Sequence, residues 1–289
     1  MLLKDISVLG PTGRQAVIIN VSTKWVTTLA LLSVNRYAQM PILVIDCESK
    51  DGSLEHFIRL MKVYDFDLLS APLKKHGETL DWLFDKILAE KVLLVDSDAE
   101  ILSPDVLQMM ETYIGEDKVF GCGFVHAPCW FPNHYAVGYY QERMWLPLTM
   151  LKVSYVREAL NAGHSFADKT VLNDFPASEF VSRLLELRFR YPSMRGWRLP
   201  WLNWLKESYY GHKPSYVYYD TGADVYQFLK YQRGLHFVGL PHDLHERYVA
   251  HYHGVTRSLL NPLDDNCTRH GDVIDRVRGR LEQVYGIKE

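Results

Sequence analysis

The sequence predicts an α/β fold: a doubly wound, mostly parallel sheet flanked by helices, leading into an aromatic-rich second half. Two observations predict it. Short, wholly apolar runs rich in β-branched residues recur early in the chain, the pattern of strands buried on both faces. Helix-period stretches separate them, which is the rhythm of βαβ units with right-handed crossovers.

The elements follow in order. Val17–Val21 reads as a buried strand, and helical periodicity runs from about Val26 to Tyr37. Pro41–Ile45 is a second buried strand ending at Asp46. Ser53 is placed to cap a helix through about Tyr64, with Leu54, Phe57, Ile58 and Met61 on one face. Leu68-Leu69 reads as a short third strand, and Glu78 to Glu90 as a helix. Val92–Val95 is the next buried strand, and it ends in Asp96-Ser97-Asp98. Beyond it the pattern is less regular: strand-like runs at Val119–Val125, Tyr216–Tyr219 and Leu235–Val238, and helices over Ala223–Gln232 and Asp272–Tyr285. No repeat or linker-like tract divides the chain. Residues 1–289 are therefore read as one unit, with a ligand-binding half over about 1–115 and a second half over about 116–289.

Bulk properties narrow the function. An apolar fraction of 47% supplies a substantial core, and a net charge of −3 gives no sign of a general nucleic-acid binder. The four cysteines form no CxxC pair and read as reduced thiols, which suits a reducing, cytoplasmic compartment. The N-terminus does not look like a signal peptide, and no apolar run reaches the roughly 18 residues needed to span a bilayer.

The Asp96-Ser97-Asp98 segment carries the chemistry. Open α/β sheets bind ligands at the carboxyl ends of their strands. Two carboxylates one residue apart at that edge suit a divalent cation whose other positions go to water and phosphate oxygens, and a nucleotide diphosphate is the simplest such ligand. The alternative for the same residues is a turn with a helix cap. The first strand is followed by Asn20-Val-Ser-Thr-Lys-Trp25 without GxGxxG, and GxxxxGK[ST] is absent, which weighs against a dehydrogenase and a P-loop enzyme. A phosphatase of the Asp-x-Asp type carries its acids after the first strand, and here they follow a later one.

Three segments resemble the GT-A glycosyltransferases, particularly those like family 2. Val44-Ile-Asp-Cys-Glu-Ser-Lys-Asp-Gly-Ser53 is similar to the strand-end motif that faces the nucleotide base. Val95-Asp-Ser-Asp-Ala-Glu-Ile-Leu-Ser-Pro104 is similar to the metal-binding DXD segment. Their spacing fits too, Asp96 falling fifty positions after Asp46 with a helix starting near His76-Gly77 between them. The likeness covers roughly residues 15–125. It departs at Cys47, where the family often has a second acid or Asn, which puts the identity of the base in question.

The resemblance implies a GT-A fold and a metal-dependent transfer of sugar from a UDP-, GDP- or dTDP-linked donor to a saccharide or lipid-linked acceptor, with Mn²⁺ or Mg²⁺. It implies base contacts at Asp46 and Asp51, donor contacts at His76 and Asp81, and metal or donor contact at Asp96 with Asp98 as metal ligand. A third ligand from the C-terminal part, often a histidine, is implied as well. Val249-Ala-His-Tyr-His-Gly-Val-Thr-Arg257 offers His251 and His253, which share a face if extended, and Arg257 for the leaving phosphates. His236, His242 and His245 compete for the role. Inverting relatives place an acid at a helix start in the acceptor half, and Asp220 is the first candidate base, Asp224 the second. The same position makes Asp220 a natural helix cap.

Residues 183–213 interleave Arg183, Arg188, Arg190, Arg195 and Arg198 with Trp197, Trp201 and Trp204. That mixture suits sugar stacking, or a membrane interface with a lipid-linked acceptor, as well as a packed half with a basic rim. Two rivals remain at this point: a sugar-phosphate nucleotidyltransferase, which would show a Gly-rich signature after the first strand, and a non-catalytic binding protein of the same fold.

Overall fold

The computed structural model of the chain describes residues 1–130, 138–172, 216–252 and 267–287. Its centre is an eight-stranded sheet in the order β1-β4-β3-β2-β5-β10-β7-β13. The strands are β1 Leu2–Leu3, β2 Thr12–Asn20, β3 Ile42–Cys47, β4 Asp67–Ala71, β5 Ala89–Asp96, β7 Val119–His126, β10 Arg143–Lys152 and β13 His236–Gly239. Between β5 and β7 the chain makes β6, Ala99–Ile101; β8 Cys129–Trp130 and β9 Gly138–Tyr140 follow β7. A second sheet has the order β11-β12-β9-β8, with β11 at Lys169–Leu172 and β12 at Tyr216–Tyr219. A two-stranded ribbon pairs β6 with β14, Val249–His251.

Alternation along the strands explains the sheet. Val17, Leu43, Ile45, Val92 and Leu94 enter one core, and Ala16, Ile18, Val44, Leu93 and Val95 enter the other. Helices α1 (Lys24–Tyr37), α2 (Ser53–Leu60), α3 (His76–Lys86), α4 (Asp105–Ile114) and α5 (Val153–Asn161) complete these layers. Of these, α3 and α5 cover the first core, and α1, α2 and α4 the second. Later come α6 (Ala223–Gln227), α7 (His245–Tyr248) and the C-terminal α8 (Cys267–Tyr285). Helix α8 lays Val273, Val277 and Leu281 on Val26, Leu29 and Leu32, so α1 is buried on its outer face as well. Among the described residues no helix is long and apolar enough to cross a membrane.

The order β4-β3-β2-β5 reverses direction between β2 and β5, which makes that junction the topological switch point. Register places Ile19 beside Asp96 and Asn20 beside Asp46, all at the carboxyl edge.

Several expectations need correction. Ser53 does not cap α2: it is the helix's first residue, and Gly52 in the left-handed region (φ 77°) occupies the cap. The helix stops at Leu60, its buried face is His56, Phe57 and Leu60, and Ile58 faces solvent. Helix α3 ends at Lys86 because Ile87 turns extended and the chain enters β5 at Ala89. The helix expected over Ala223–Gln232 is α6 followed by a π-helical turn, Phe228–Gln232.

Strand β10 has no counterpart among the strands predicted from the sequence. It runs antiparallel between β5 and β7, and its register against β7 shifts between Met144 and Thr149. Pro147 sits inside that shift, where the lack of an N–H donor is tolerated only at a bulge. Pairing with β5 begins at Leu148, so Arg143–Pro147 overhang the carboxyl edge.

Candidate functional site

Strand β5 ends at Asp96, and the chain turns through Ser97 and Asp98 straight into β6. The ribbon register sets His251 opposite Ala99, with the Tyr252 amide donating to the Asp98 carbonyl at 2.8 Å. Asp98 and His251 are therefore neighbours, and His251 Nε2 lies 3.0 Å from Asp98 Oδ1. Asp96, Asp98 and His251 each offer a ligand atom, all within 4.8 Å of one another. Two hard carboxylate oxygens and one imidazole nitrogen are a donor set that fits Mn²⁺, Mg²⁺ or a similar ion, with other positions left for water and phosphate.

The electrostatics are unbalanced in the way a cation would correct. Burial, together with the Asp98 charge, pushes the Asp96 carboxyl above its ordinary range, against the pull of His76 and His251. His76 Nε2 stands 4.0 Å from Asp96 Oδ1. A small cavity lined by Val17, Ile19, His76, Leu80, Asp96 and Leu146 opens behind them.

The overhanging part of β10 forms the opposite wall. Trp145 meets His251 edge-on at 5.3 Å between ring centroids and His245 at 4.2 Å. His245 also packs against Phe124, and His242 Nε2 contacts the Val125 carbonyl at 2.8 Å. Of the competing histidines, His242 and His245 thus line the neighbouring wall, and His236 lies exposed in β13. Burial and the nearby Arg143 hold His126 neutral, its pKa drawn down to about 4. Arg143 pairs with Asp220 Oδ2 at 3.0 Å, and Asp220 Oδ1 accepts the Thr221 amide.

Other expected site residues are occupied elsewhere. Asp46 is 1% exposed; it accepts from Asn20 Nδ2 at 2.6 Å and from the Ser49 amide, so it braces the β2 and β3 ends and presents no surface to a base. Asp51 is exposed and accepts the first amides of two helices, Lys24 of α1 at 2.9 Å and Ser53 of α2 at 3.1 Å. Asp81 does not face the cavity: it accepts from Ser165 Oγ and from the Phe166 amide, tying α3 to the loop after α5. Asp224 is buried with its carboxylate engaged by Lys169 Nζ, His164 Nδ1 and the Ser165 amide. Burial alone would raise the Asp224 pKa, but these donors outweigh it and hold the pKa low, the opposite of what a base needs. His253, Arg257 and the basic, aromatic segment 183–213 lie outside the described residues.

Two features went unread in the sequence. The Asn20 amide, Thr23 and Thr27 form a buried hydrogen-bond cluster at the end of β2. Glu100, two residues beyond Asp98, is 1% exposed and accepts from Arg280, Tyr252 and Tyr285. No local pattern marks it, because its partners come from α8 and from the residue after β14.

Comparison with solved structures finds similarity to the mannosyltransferase PcManGT from Pyrobaculum calidifontis in complex with GDP-Man and Mn²⁺. Identity is 12%, the TM-score 0.42, and the match covers 52% of this chain and 47% of that one. The chain thus spans about half the length of that mannosyltransferase chain. Similarity also extends to S. aureus TarS 1-349 in complex with UDP-GlcNAc, at 13% identity and a TM-score of 0.39, covering 94% of this chain and 73% of that one. At these scores the likeness fixes neither residues nor activity. No protein-family model matches the chain, and no curated protein does.

Proposed function

We propose that the chain is a metal-dependent glycosyltransferase of GT-A type that moves a sugar from a nucleotide-diphosphate donor to an acceptor hydroxyl. The observation that supports it above the others is the convergence of Asp96, Asp98 and His251 at the switch point of the sheet. Asp98 and His251 are the assigned ligands, with Asp96 binding directly, through water, or at the donor ribose. When bound, a divalent cation there supplies positive charge to the diphosphate as the glycosyl bond breaks.

The rest is work for the chain's own groups. His76, beside Asp96 at the opening of α3, is placed to donate to the donor's phosphate or sugar. Arg143 orients Asp220, which is the proposed base for the acceptor hydroxyl; the Arg143 ion pair holds the carboxylate in one direction. Trp145, buried against Phe124, His245 and His251, backs the histidine side of the site. In this reading residues 1–115 bind the donor and residues 116–289 the acceptor, within one folding unit.

The test is hydrolysis of UDP- and GDP-sugars with and without Mn²⁺. Metal-dependent release of the nucleoside diphosphate, abolished in Asp98→Ala, supports the enzyme. Pyrophosphate release from a sugar phosphate and a nucleoside triphosphate would instead favour a nucleotidyltransferase.

A further inference from the structure

Glu100 is a fully enclosed carboxylate with four hydrogen bonds. Arg280 Nε reaches both oxygens, at 3.0 and 3.2 Å; the Tyr285 hydroxyl donates at 3.2 Å and the Tyr252 hydroxyl at 3.0 Å. These donors come from two places. Arg280 and Tyr285 belong to the last turns of α8, and Tyr252 follows β14 directly. A buried charge of this kind persists only while its donors are present, and losing one side leaves an uncompensated ion in the core.

The position of Glu100 gives this lock a consequence. Its Cα pairs with Ala250 across the ribbon, one step from the Ala99–His251 pair, and Asp98 lies two residues before it. Tyr252, whose hydroxyl holds Glu100, also donates its amide to the Asp98 carbonyl. The acid therefore ties α8, β14 and β6 together at the point where Asp98 and His251 meet. The ribbon itself is only three residues long in each strand, too short to hold register unaided.

We propose that Glu100, clamped by Arg280 and Tyr285 of the C-terminal helix, is a positioning residue that sets His251 against Asp98 and so tunes the cation site. This rests on the metal-site reading above. Glu100 touches neither the ion nor substrate; it acts through the ribbon. Partners of this kind behind a metal ligand change metal affinity by roughly 10–100-fold when removed.

The experiment uses the full chain and two readouts: Mn²⁺ affinity by electron paramagnetic resonance, and the ring-nitrogen resonances of His251 in metal-free protein. The variants are Arg280→Met with Tyr285→Phe, Arg280→Lys, Glu100→Gln, and Phe84→Leu, which loosens the opposite core as a control for stability alone. The proposal expects the Arg280→Met/Tyr285→Phe protein to bind Mn²⁺ about tenfold more weakly and to shift the His251 resonances. Glu100→Gln should do the same, Arg280→Lys should recover most of the affinity, and Phe84→Leu should change neither readout. Lowered melting temperature with unchanged Mn²⁺ affinity and unmoved His251 resonances would overturn it. If wild type and Asp98→Ala bind Mn²⁺ equally, the metal-site reading fails separately, and the His251 resonances alone decide whether Glu100 positions the histidine.

Discussion

Asp98 and His251 stand 3.0 Å apart although 153 positions separate them in the chain. Their meeting is produced by backbone, through the Ala99–His251 register of a three-residue ribbon and the Tyr252 amide on the Asp98 carbonyl. Each side chain therefore matters for what it binds more than for the fold. Asp98→Ala is expected to lower metal-dependent nucleotide-sugar hydrolysis by at least 100-fold, and His251→Ala by about 10–100-fold. Both should leave the circular dichroism spectrum unchanged, and steady-state kinetics across a Mn²⁺ titration checks them.

Acidification should weaken metal binding early. Ligands must be deprotonated to bind, and the Asp96 carboxyl is held above the ordinary carboxylate range by burial and by Asp98. Protons therefore compete with the ion at a higher pH than an exposed aspartate would allow. Mn²⁺ affinity measured from pH 8 downward should decline before the ordinary carboxylate range is reached. Asp96→Asn should lose the part of that decline that Asp96 contributes, and comparing the two pH profiles measures it.

Stability should also fall in mild acid, for a different reason. His56 is buried against Trp25, bonded to Thr28 Oγ1 at 2.9 Å, and burial draws its pKa from 6.5 to about 4. The unfolded chain thus binds a proton that the folded chain refuses. This contribution is complete above pH 6.5 and is lost as pH falls toward 4, a change of up to about 3 kcal/mol. Urea unfolding at intervals across that window measures it, and His56→Gln should flatten the slope.

Gly77 is required by close approach. A Cβ there would lie 2.5 Å from the backbone of Ala167, on the loop that Asp81 holds through Ser165 and Phe166. Gly77→Ala is expected to destabilise the protein by about 1–3 kcal/mol, and Asp81→Ala by a similar amount through lost hydrogen bonds to a partly buried loop. Denaturant midpoints check both, and the double variant should be less than additive because the two share one contact.

How much of this was legible depends on the range of the signal. The strands at Val17, Ile42 and Val92 announce themselves through apolar runs, and Asp96 and Asp98 through their place after one of them. His251 was visible only as a candidate among several, since nothing local says which strand it will pair with. Strand β10 was hidden because Met-Trp-Leu-Pro-Leu-Thr-Met-Leu has neither alternation nor clean helical period, and its proline argued against a central strand. Asp46, Asp51, Asp81 and Asp224 illustrate the other limit. Each looked chemical by type and position, but Asp46, Asp81 and Asp224 are engaged by amide or cation partners that long-range packing supplies, and Asp51, though exposed, accepts the first amides of two helices. A carboxylate's availability is a property of its neighbours, which the sequence does not list side by side.

The central claim is that Asp96, Asp98 and His251 hold one divalent cation that grips a nucleoside diphosphate. Anomalous diffraction from a crystal grown with Mn²⁺ and a nucleoside diphosphate tests it most directly. One manganese peak is expected within coordination distance of Asp98 and His251, with Asp96 bound directly or through water and phosphate oxygens completing the shell. A manganese ion bound elsewhere on the chain, or no peak at these three residues with nucleotide present, would contradict it.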